Sequence, residues 1–374
     1  MHTHERGLSV LALGPESHGG FAGMAQGTRD YLGALLEAPE VARLALLARH
    51  PADGGPAPPE GWEERVVEGS PLAYTGAAIA EGRRVRPDLV VCVHLNLLPA
   101  AALVASMHRA PVWLYLHGME AWKAHGPLVQ RALGRVVLAS ASSRFTRDRF
   151  LSWAPFPAAR AVVNHNPVHA ERFAPGSKPA YLQQRYGLRG RRVLLTLGRM
   201  LGGDRFKGHD EILAALPRVL EQQPDLAWLV VGDGPDRARI EARVRASGLA
   251  QRVVFAGRIR DEEKPDHYRL ADAYAMPSCT EGFGIVFLEA AASGLPCLGS
   301  LRDGSRDALA EGALGVLVDP GDPRAVEAGL LDILSREPEV RRALGLFRYE
   351  RLLARTRKLL ERYVLPEMRG RRAA

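Results

Sequence analysis

Ala227-Trp228-Leu229-Val230-Val231-Gly232-Asp233-Gly234-Pro235-Asp236-Arg237 decides the fold. Five consecutive apolar residues, β-branched at their end, read as a strand buried on both faces, the habit of parallel sheets. The run stops at a glycine turn, and a helical pattern, Arg237–Ser247, follows at once. The same strand-turn-helix scheme extends in both directions. Upstream, Val193–Leu197 predicts a strand and Gly208–Leu220 a helix. Downstream come a strand at Val253–Phe255, a short helix at Tyr268–Ala271, a strand at Ala273–Met276 and a helix at Gly284–Ala292. Gly294-Leu295-Pro296 closes that helix with a C-cap glycine and a stopping proline. Pro296–Gly299 and Gly315–Val318 complete the sheet.

The first half shows the same alternation, with strands predicted at Leu8–Leu13, Leu44–Ala48, Asp88–His94, Pro111–His117 and Arg135–Ala139. Helices fall between them, as at Met24–Leu36 and Ala100–His108, and the Pro/Gly-rich Pro51–Gly61 is a loop. From Val163 to Arg191 the pattern lapses into Asn, Pro, Gly and charge, which places an interdomain linker there. At 374 residues the chain exceeds what one core usually supports. The expected fold is α/β: two Rossmann-like doubly wound domains, residues 1–175 and 176–345, facing a central cleft, with ligands at the C-terminal ends of the strands.

Residues 341–374 carry eleven Lys/Arg against three Glu, which equals the whole chain's net charge of +8. The basic character is therefore local, and nothing interleaves aromatics with it as a nucleic-acid module would. Apolar residues at Leu346, Tyr349, Leu352, Leu353, Leu359, Leu360 and Tyr363 make 346–374 an amphipathic terminal helix. It reads as a helix packing back toward the N-terminal domain with a solvated arginine face. The alternative is peripheral contact with the anionic inner face of a membrane, plausible if the acceptor is lipid-linked. No apolar run approaches the ~20 residues of a membrane span. The N-terminal apolar stretch, Leu8–Leu13, is too short for a signal peptide. Cys92, Cys279 and Cys297 are widely spaced without metal-ligand spacing, which fits a reducing, cytoplasmic setting.

Chemistry concentrates in Thr280-Glu281-Gly282-Phe283-Gly284-Ile285-Val286-Phe287-Leu288-Glu289-Ala290. Glu289 sits in an otherwise apolar helix, where an unpartnered carboxylate costs several kcal/mol. No basic residue lies within helical reach, so its partner comes from elsewhere in the fold or from ligand hydroxyls. Glu281 precedes the helix on a Gly-Phe-Gly loop whose backbone N–H groups suit an anion. Arg199 ends a strand. Lys207, one of five lysines in the chain, opens the next helix at Lys207-Gly208-His209-Asp210. A cation there has the wrong sign for the macrodipole. The arrangement makes sense if a diphosphate binds between Arg199, Lys207 and that helix end. Asp233 and Asp236 read as a turn and a helix cap, and no D-x-D follows a strand, so neither a metal nor a cofactor is expected.

Taken in order, these motifs resemble the donor domain of retaining family 4 glycosyltransferases of the GT-B fold. The resemblance runs over about Val193 to Val318: Leu-Gly-Arg199, Phe-Lys207-Gly-His-Asp, Val-Val-Gly-Asp-Gly-Pro-Asp236, Val-Val-Phe-Ala-Gly257-Arg258-Ile259, Met-Pro-Ser-Cys-Thr-Glu281-Gly-Phe-Gly with Glu289, and Gly315-Val-Leu-Val-Asp-Pro320. The first half is similar through Gly19-Gly20 and His117-Gly118-Met119-Glu120, while Arg302-Asp303-Gly304-Ser305-Arg306 departs from the usual sequence. The resemblance implies that Arg199 and Lys207 hold the donor pyrophosphate, with Glu289 on the ribose and Glu281 on the sugar. Phe283, Gly284 and Ile285 would line the helix start by their backbone, and Gly257, Arg258 and Ile259 would edge the base. Gly19 and Gly20 would admit the phosphates, and His117 would bond to the sugar near the reacting carbon. His117 also reads as a satisfied strand-end histidine, the reading favoured for His94.

The implied reaction is metal-independent transfer of a hexose, with retention, from a UDP- or GDP-sugar to a glycan, lipid-linked or small-molecule acceptor held by the first domain. Two other readings stay open: a nucleotide-sugar epimerase of the same fold, and a non-catalytic nucleotide-sugar-binding protein.

Overall fold

The structure is a computed structural model that describes residues 7–19, 23–52, 54, 57–200, 202 and 207–373, the last three without their side chains. The chain falls into two compact units, Met1–Pro167 with Tyr349–Ala374, and Val168–Arg348.

The first unit is a parallel sheet of β1 (Leu8–Glu16), β2 (Val41–His50), β3 (Trp62–Val66), β4 (Leu89–Cys92), β5 (Val112–Leu116), β6 (Val136–Ala141) and β7 (Ala161–Val163). The order is β3-β2-β1-β4-β5-β6-β7. Its helices are α1 (Gly23–Leu36), α2 (Pro71–Val85), α3 (Leu98–His108), α4 (Pro127–Ala132) and α5 (Arg144–Leu151). The order reverses between β1 and β4, so the ends of β1, β4 and β5 form the edge where a doubly wound sheet takes ligands. The middle of β1 and the whole of β4 and β5 are buried, because helices cover both faces.

The second unit repeats the plan with β8 (Arg192–Leu197), β9 (Leu226–Val231), β10 (Val253–Gly257), β11 (Ala273–Ala275), β12 (Cys297–Ser300) and β13 (Val316–Val318). Its order is β10-β9-β8-β11-β12-β13, all parallel. The helices are α6 (Ala180–Tyr186), α7 (His209–Gln222), α8 (Arg237–Ala246), α9 (Lys264–Leu270), α10 (Ile285–Ala292), α11 (Ser305–Ala308) and α12 (Pro323–Ser335). Seven of the eight residues of α10 are buried, as a helix apolar all round requires.

Two expectations need correction. Residues 168–191 are not a linker: they belong to the second unit, and α6 buries Leu182 while Leu188 packs beside it. The helix is seven residues long and ends on Gly187 at φ 65°, so glycine, proline and charge mask its short periodicity. The first unit likewise runs to Pro167 rather than 175.

The terminal segment comprises α13 (Tyr349–Leu359), a π-helical turn over Leu360–Val364, and α14 (Leu365–Ala373), and it belongs to the first unit. Leu360, Val364 and Met368 pack with Val10, Ala12, Trp113 and Tyr115 against the first sheet. Arg355, mostly buried, donates to Asn164 Oδ1 at 3.1 Å and to the His165 carbonyl at 2.8 Å. Leu346, expected on the buried face, is 56% exposed. Among the described residues no helix is long and apolar enough to cross a membrane.

Candidate functional site

In the second unit the strand-end turns are built from close backbone contacts. A Cβ on Gly232, at φ 130°, would lie 1.9 Å from the Gly198 carbonyl oxygen, so the ends of β9 and β8 touch through glycine. Arg199 follows directly. It is exposed and has no hydrogen bond or ion pair among the described residues.

Helix α7 begins at Gly208, φ 73°, where a Cβ would meet the Pro277 carbonyl at 2.5 Å, and no side chain caps it. Helix α10 begins the same way at Gly284, φ 90°, also without a side-chain cap. Both starts demand glycine, and a glycine N-cap has no side chain with which to cap its helix. The Glu281 side chain folds over the start of α10, where its Cγ would lie 3.1 Å from a Gly284 Cβ. Its carboxylate pairs with Lys207, and the two side chains are 15% and 20% exposed. Two helix N-termini thus flank one cation–carboxylate pair, with a free guanidinium on the neighbouring strand end.

Glu289 is 1% exposed and is not an unpartnered carboxylate. Lys264 Nζ donates to Oε1 at 3.0 Å and the Tyr268 hydroxyl to Oε2 at 2.8 Å. Both partners come from α9, which packs beside α10. Burial alone would depress the Lys264 ammonium, but Glu289 and Asp261, the latter 3.2 Å away, outweigh it and raise its pKa. Each Glu289 oxygen keeps one lone pair with which to accept a further hydrogen bond. The lysine scarcity that marks Lys207 marks Lys264 too, which was the available signal.

Phe283 faces the core, its ring 5.9 Å from that of Phe347, so only its backbone is available to a ligand. Ile285 is buried at the first position of α10. Gly257 ends β10 at φ 72° and accepts from Gly232 N at 2.9 Å. Arg258 is exposed and Ile259 half-buried against the core. Asp233 accepts from Gly234 N at 2.8 Å, as a turn residue does. Asp236 pairs with Arg239. Asp303, marked in the sequence only by lying in the stretch that departs from the family's usual sequence, holds the Glu281 loop through Glu281 N at 2.9 Å.

In the first unit, His117 leaves the end of β5. Its backbone N–H and that of Gly118 donate to the Glu120 carboxylate at 2.5 to 3.1 Å. Its Nε2 lies 3.2 Å from Thr28 Oγ1 on α1, and its ring meets Tyr115 edge-on at 4.7 Å. Burial, with His94 nearby and despite a hydrogen bond to the Val93 backbone, pushes the imidazole down to about 3. It is neutral at physiological pH, fit to exchange hydrogen bonds with a hydroxyl rather than to carry charge. His94 caps the 3-10 turn after β4 through Asn96 N at 3.2 Å, a satisfied strand-end role. Gly19 lies in the turn after β1, where a Cβ would meet the Gly54 carbonyl at 2.2 Å, so packing against the Pro51–Gly61 loop already requires glycine. Gly20 lies outside the described residues. No group of three or more His, Cys, Asp or Glu among the described residues is arranged to hold a metal ion.

Two Rossmann-like parallel sheets with anion-ready helix starts at the strand ends define a GT-B protein. The profile of Glycosyl transferases group 1 matches residues 183–349, and that of Glycosyltransferase Family 4 matches residues 44–172. The chain belongs to the family 4, or group 1, glycosyltransferases. The GDP-mannose-dependent alpha-(1-6)-phosphatidylinositol monomannoside mannosyltransferase of Mycolicibacterium smegmatis is 35% identical over 243 residues, 61% of this chain and 62% of that protein. The D-inositol 3-phosphate glycosyltransferase of Corynebacterium urealyticum is 33% identical over 191 residues, 48% and 44% of the two chains. The match thus spans about three fifths or less of these relatives' own length. Among solved structures, Anabaena HepE in complex with UDP and glucose superposes with a TM-score of 0.72 at 18% identity, covering 98% of both chains. Sucrose-phosphate synthase from Thermosynechococcus elongatus does so at 0.74 and 21%, covering 94% and 98%. At these identities the likeness concerns the fold.

Proposed function

We propose that this protein transfers a hexose from a nucleoside diphosphate sugar to a lipid-linked or polyol acceptor, with retention and without a metal ion. The observation that carries the reading is the Lys207–Glu281 pair between two uncapped helix starts, beside unpaired Arg199. A diphosphate entering there meets two cations and the N-terminal ends of two helices, a preorganised field for a leaving group that gains negative charge. Binding it draws Lys207 from Glu281, which frees that carboxylate for hydroxyls of the donor sugar. Glu289 holds the ribose through its two remaining lone pairs. His117, neutral, keeps a ring able to hydrogen-bond at the end of β5 in the first unit. Attack from the face the diphosphate leaves, with the departing phosphate taking the acceptor proton, follows the family's retaining chemistry.

The relatives' names support GDP-mannose and an inositol-phospholipid acceptor as the first pair to try. The HepE complexes support UDP-glucose as the second donor. Peripheral membrane contact would run through exposed Arg351, Lys358, Arg362 and Arg369, because the apolar face of the terminal helices is buried in the first unit. The test is release of nucleoside diphosphate from GDP-mannose and UDP-glucose with and without phosphatidylinositol vesicles. Release that requires acceptor, with a glycosylated lipid as product, is expected. Conversion of the donor to an epimer, or binding without turnover under every pairing, would overturn the proposal.

A further inference from the structure

The loop after β12 departs from the family's usual sequence at Arg302-Asp303-Gly304-Ser305-Arg306, and there the chain buries a carboxylate. Asp303 is 2% exposed, and no cation pairs with it among the described residues. Its Oδ2 accepts from Ser278 Oγ at 2.6 Å and Glu281 N at 2.9 Å. Its Oδ1 accepts from Ser305 N at 3.0 Å and Ser305 Oγ at 2.5 Å. Four donors saturate the four lone-pair sites that only an ionised carboxylate offers. Burial, partly offset by these hydrogen bonds, pushes its pKa up to about 6, so the charge is held at a cost in stability.

A loop that needed closure alone would manage with a neutral side chain. The cost falls at one place, under Glu281. Gly304 N donates to the Glu281 carbonyl at 2.8 Å. A Cβ on Gly304 would lie 2.1 Å from the Gly282 carbonyl, so the two backbones are in direct contact. The peptide units on both sides of Glu281 are therefore clamped by Asp303-Gly304, and with them the direction in which its side chain leaves toward Lys207 and the start of α10.

We propose that Asp303 is the positioning residue for Glu281, fixing the carboxylate that meets the donor sugar. The assignment rests on the role given to Glu281 above. Hydrolysis of GDP-mannose and of UDP-glucose with water as acceptor, read as nucleoside diphosphate release, tests it on whichever donor the native chain turns over. Asp303→Asn keeps the volume but puts a donor amide against Glu281 N or Ser305 N. Misplacing one reacting group should lower kcat on the order of 10²-fold. GDP or UDP affinity and donor KM should stay within about threefold, since a contact made in the transition state is what is lost. Arg302→Ala, on the same loop as Asp303, breaks an exposed pair with Asp319 after β13 and should change kcat by less than about twofold.

Glu281→Ala separates the two claims. If it lowers turnover to a measurable residual rate and Asp303→Asn then adds less than about threefold on that background, Asp303 acts through Glu281. Native kcat in Asp303→Asn beside a damaged Glu281→Ala overturns the proposal and leaves the role of Glu281 standing. Native kcat in Glu281→Ala removes that role and the proposal with it. Equal losses of kcat and nucleotide affinity that add fully to Glu281→Ala would make Asp303 a general structural residue, which also overturns the proposal. If Asp303→Asn does not fold, Ser278→Ala carries the test: reduced kcat at an unchanged melting temperature supports the assignment, and unchanged kcat overturns it.

Discussion

Replacing Lys264 with methionine isolates the ion pair that the sequence did not reveal. The ammonium lies 3.0 Å from Glu289 and 3.2 Å from Asp261, in a setting where Lys264 is 13% and Glu289 2% exposed by side chain. At an effective dielectric of 20, Coulomb's law gives an attraction of about 5 kcal/mol for each contact. Desolvation consumes most of that, so the pair's net worth is small. Breaking it is different. Lys264→Met leaves a buried Glu289 with Tyr268 alone, and such truncations destabilise by about 3–5 kcal/mol. For a unit of this size that lowers the melting temperature on the order of 10 °C. Adding Glu289→Gln removes the stranded charge and should restore about half of the loss or more. Differential scanning calorimetry of the native chain, both single variants and the double variant checks this. A native-like melting temperature in Lys264→Met, or a double variant whose loss is the sum of the singles, would refute the coupling.

Glu289→Ala should weaken GDP or UDP binding by roughly 1.5–3 kcal/mol in calorimetry, as the ribose loses a charged acceptor. Glu281→Ala should spare free nucleotide binding and damage turnover; equal losses in both variants would dissolve the division of labour. For His117 the folded pKa of about 3 lies below the ordinary histidine value, so the unfolded chain binds the extra proton between them. Its contribution to stability is present above about pH 6.5 and is lost as pH falls toward 3, so His117→Gln should flatten the acid limb of a denaturation series. The same variant should lower transfer while sparing nucleotide affinity. Charge reversal at Arg351, Lys358 and Arg362 should leave the fold intact and weaken binding to phosphatidylinositol vesicles by about 1 kcal/mol per residue, measured by co-sedimentation. Vesicle binding unchanged by the reversal would confine this segment to packing.

The sheet architecture was legible because apolar runs such as Ala227–Val231 and Val193–Leu197 are buried on both faces and end at glycine turns. The helix starts near Lys207 and Glu281 were legible for a related reason. Each opens on a glycine forced to positive φ, Gly208 directly after Lys207 and Gly284 three residues after Glu281, and such starts are marked in one dimension. Short elements such as α6 and β7 were not, since seven and three residues carry too little periodicity. Glu289 could be flagged as a carboxylate in need of a partner, but Lys264 and Tyr268 reach it from a different helix, and pairing across helices is a product of packing. The same holds for Asp303 beneath Glu281 and for Thr28 and Glu120 around His117. The glycine at position 19 was read as room for a phosphate; packing adds a second demand for glycine there, since a Cβ would lie 2.2 Å from the Gly54 carbonyl.

The central claim is that Arg199, Lys207 and two helix starts hold the donor diphosphate without a metal ion. Titration of GDP and UDP into the native chain, Arg199→Ala, Lys207→Ala and Lys207→Arg, each in excess EDTA and again with magnesium or manganese, tests it most directly. The account predicts native binding in EDTA, little gain from metal, and losses of about 1.5–3 kcal/mol on removing either cation. It also predicts incomplete rescue by Lys207→Arg, whose planar fork cannot replace a compact ammonium. Binding abolished by EDTA and recovered with metal, or native affinity in both alanine variants, would contradict it.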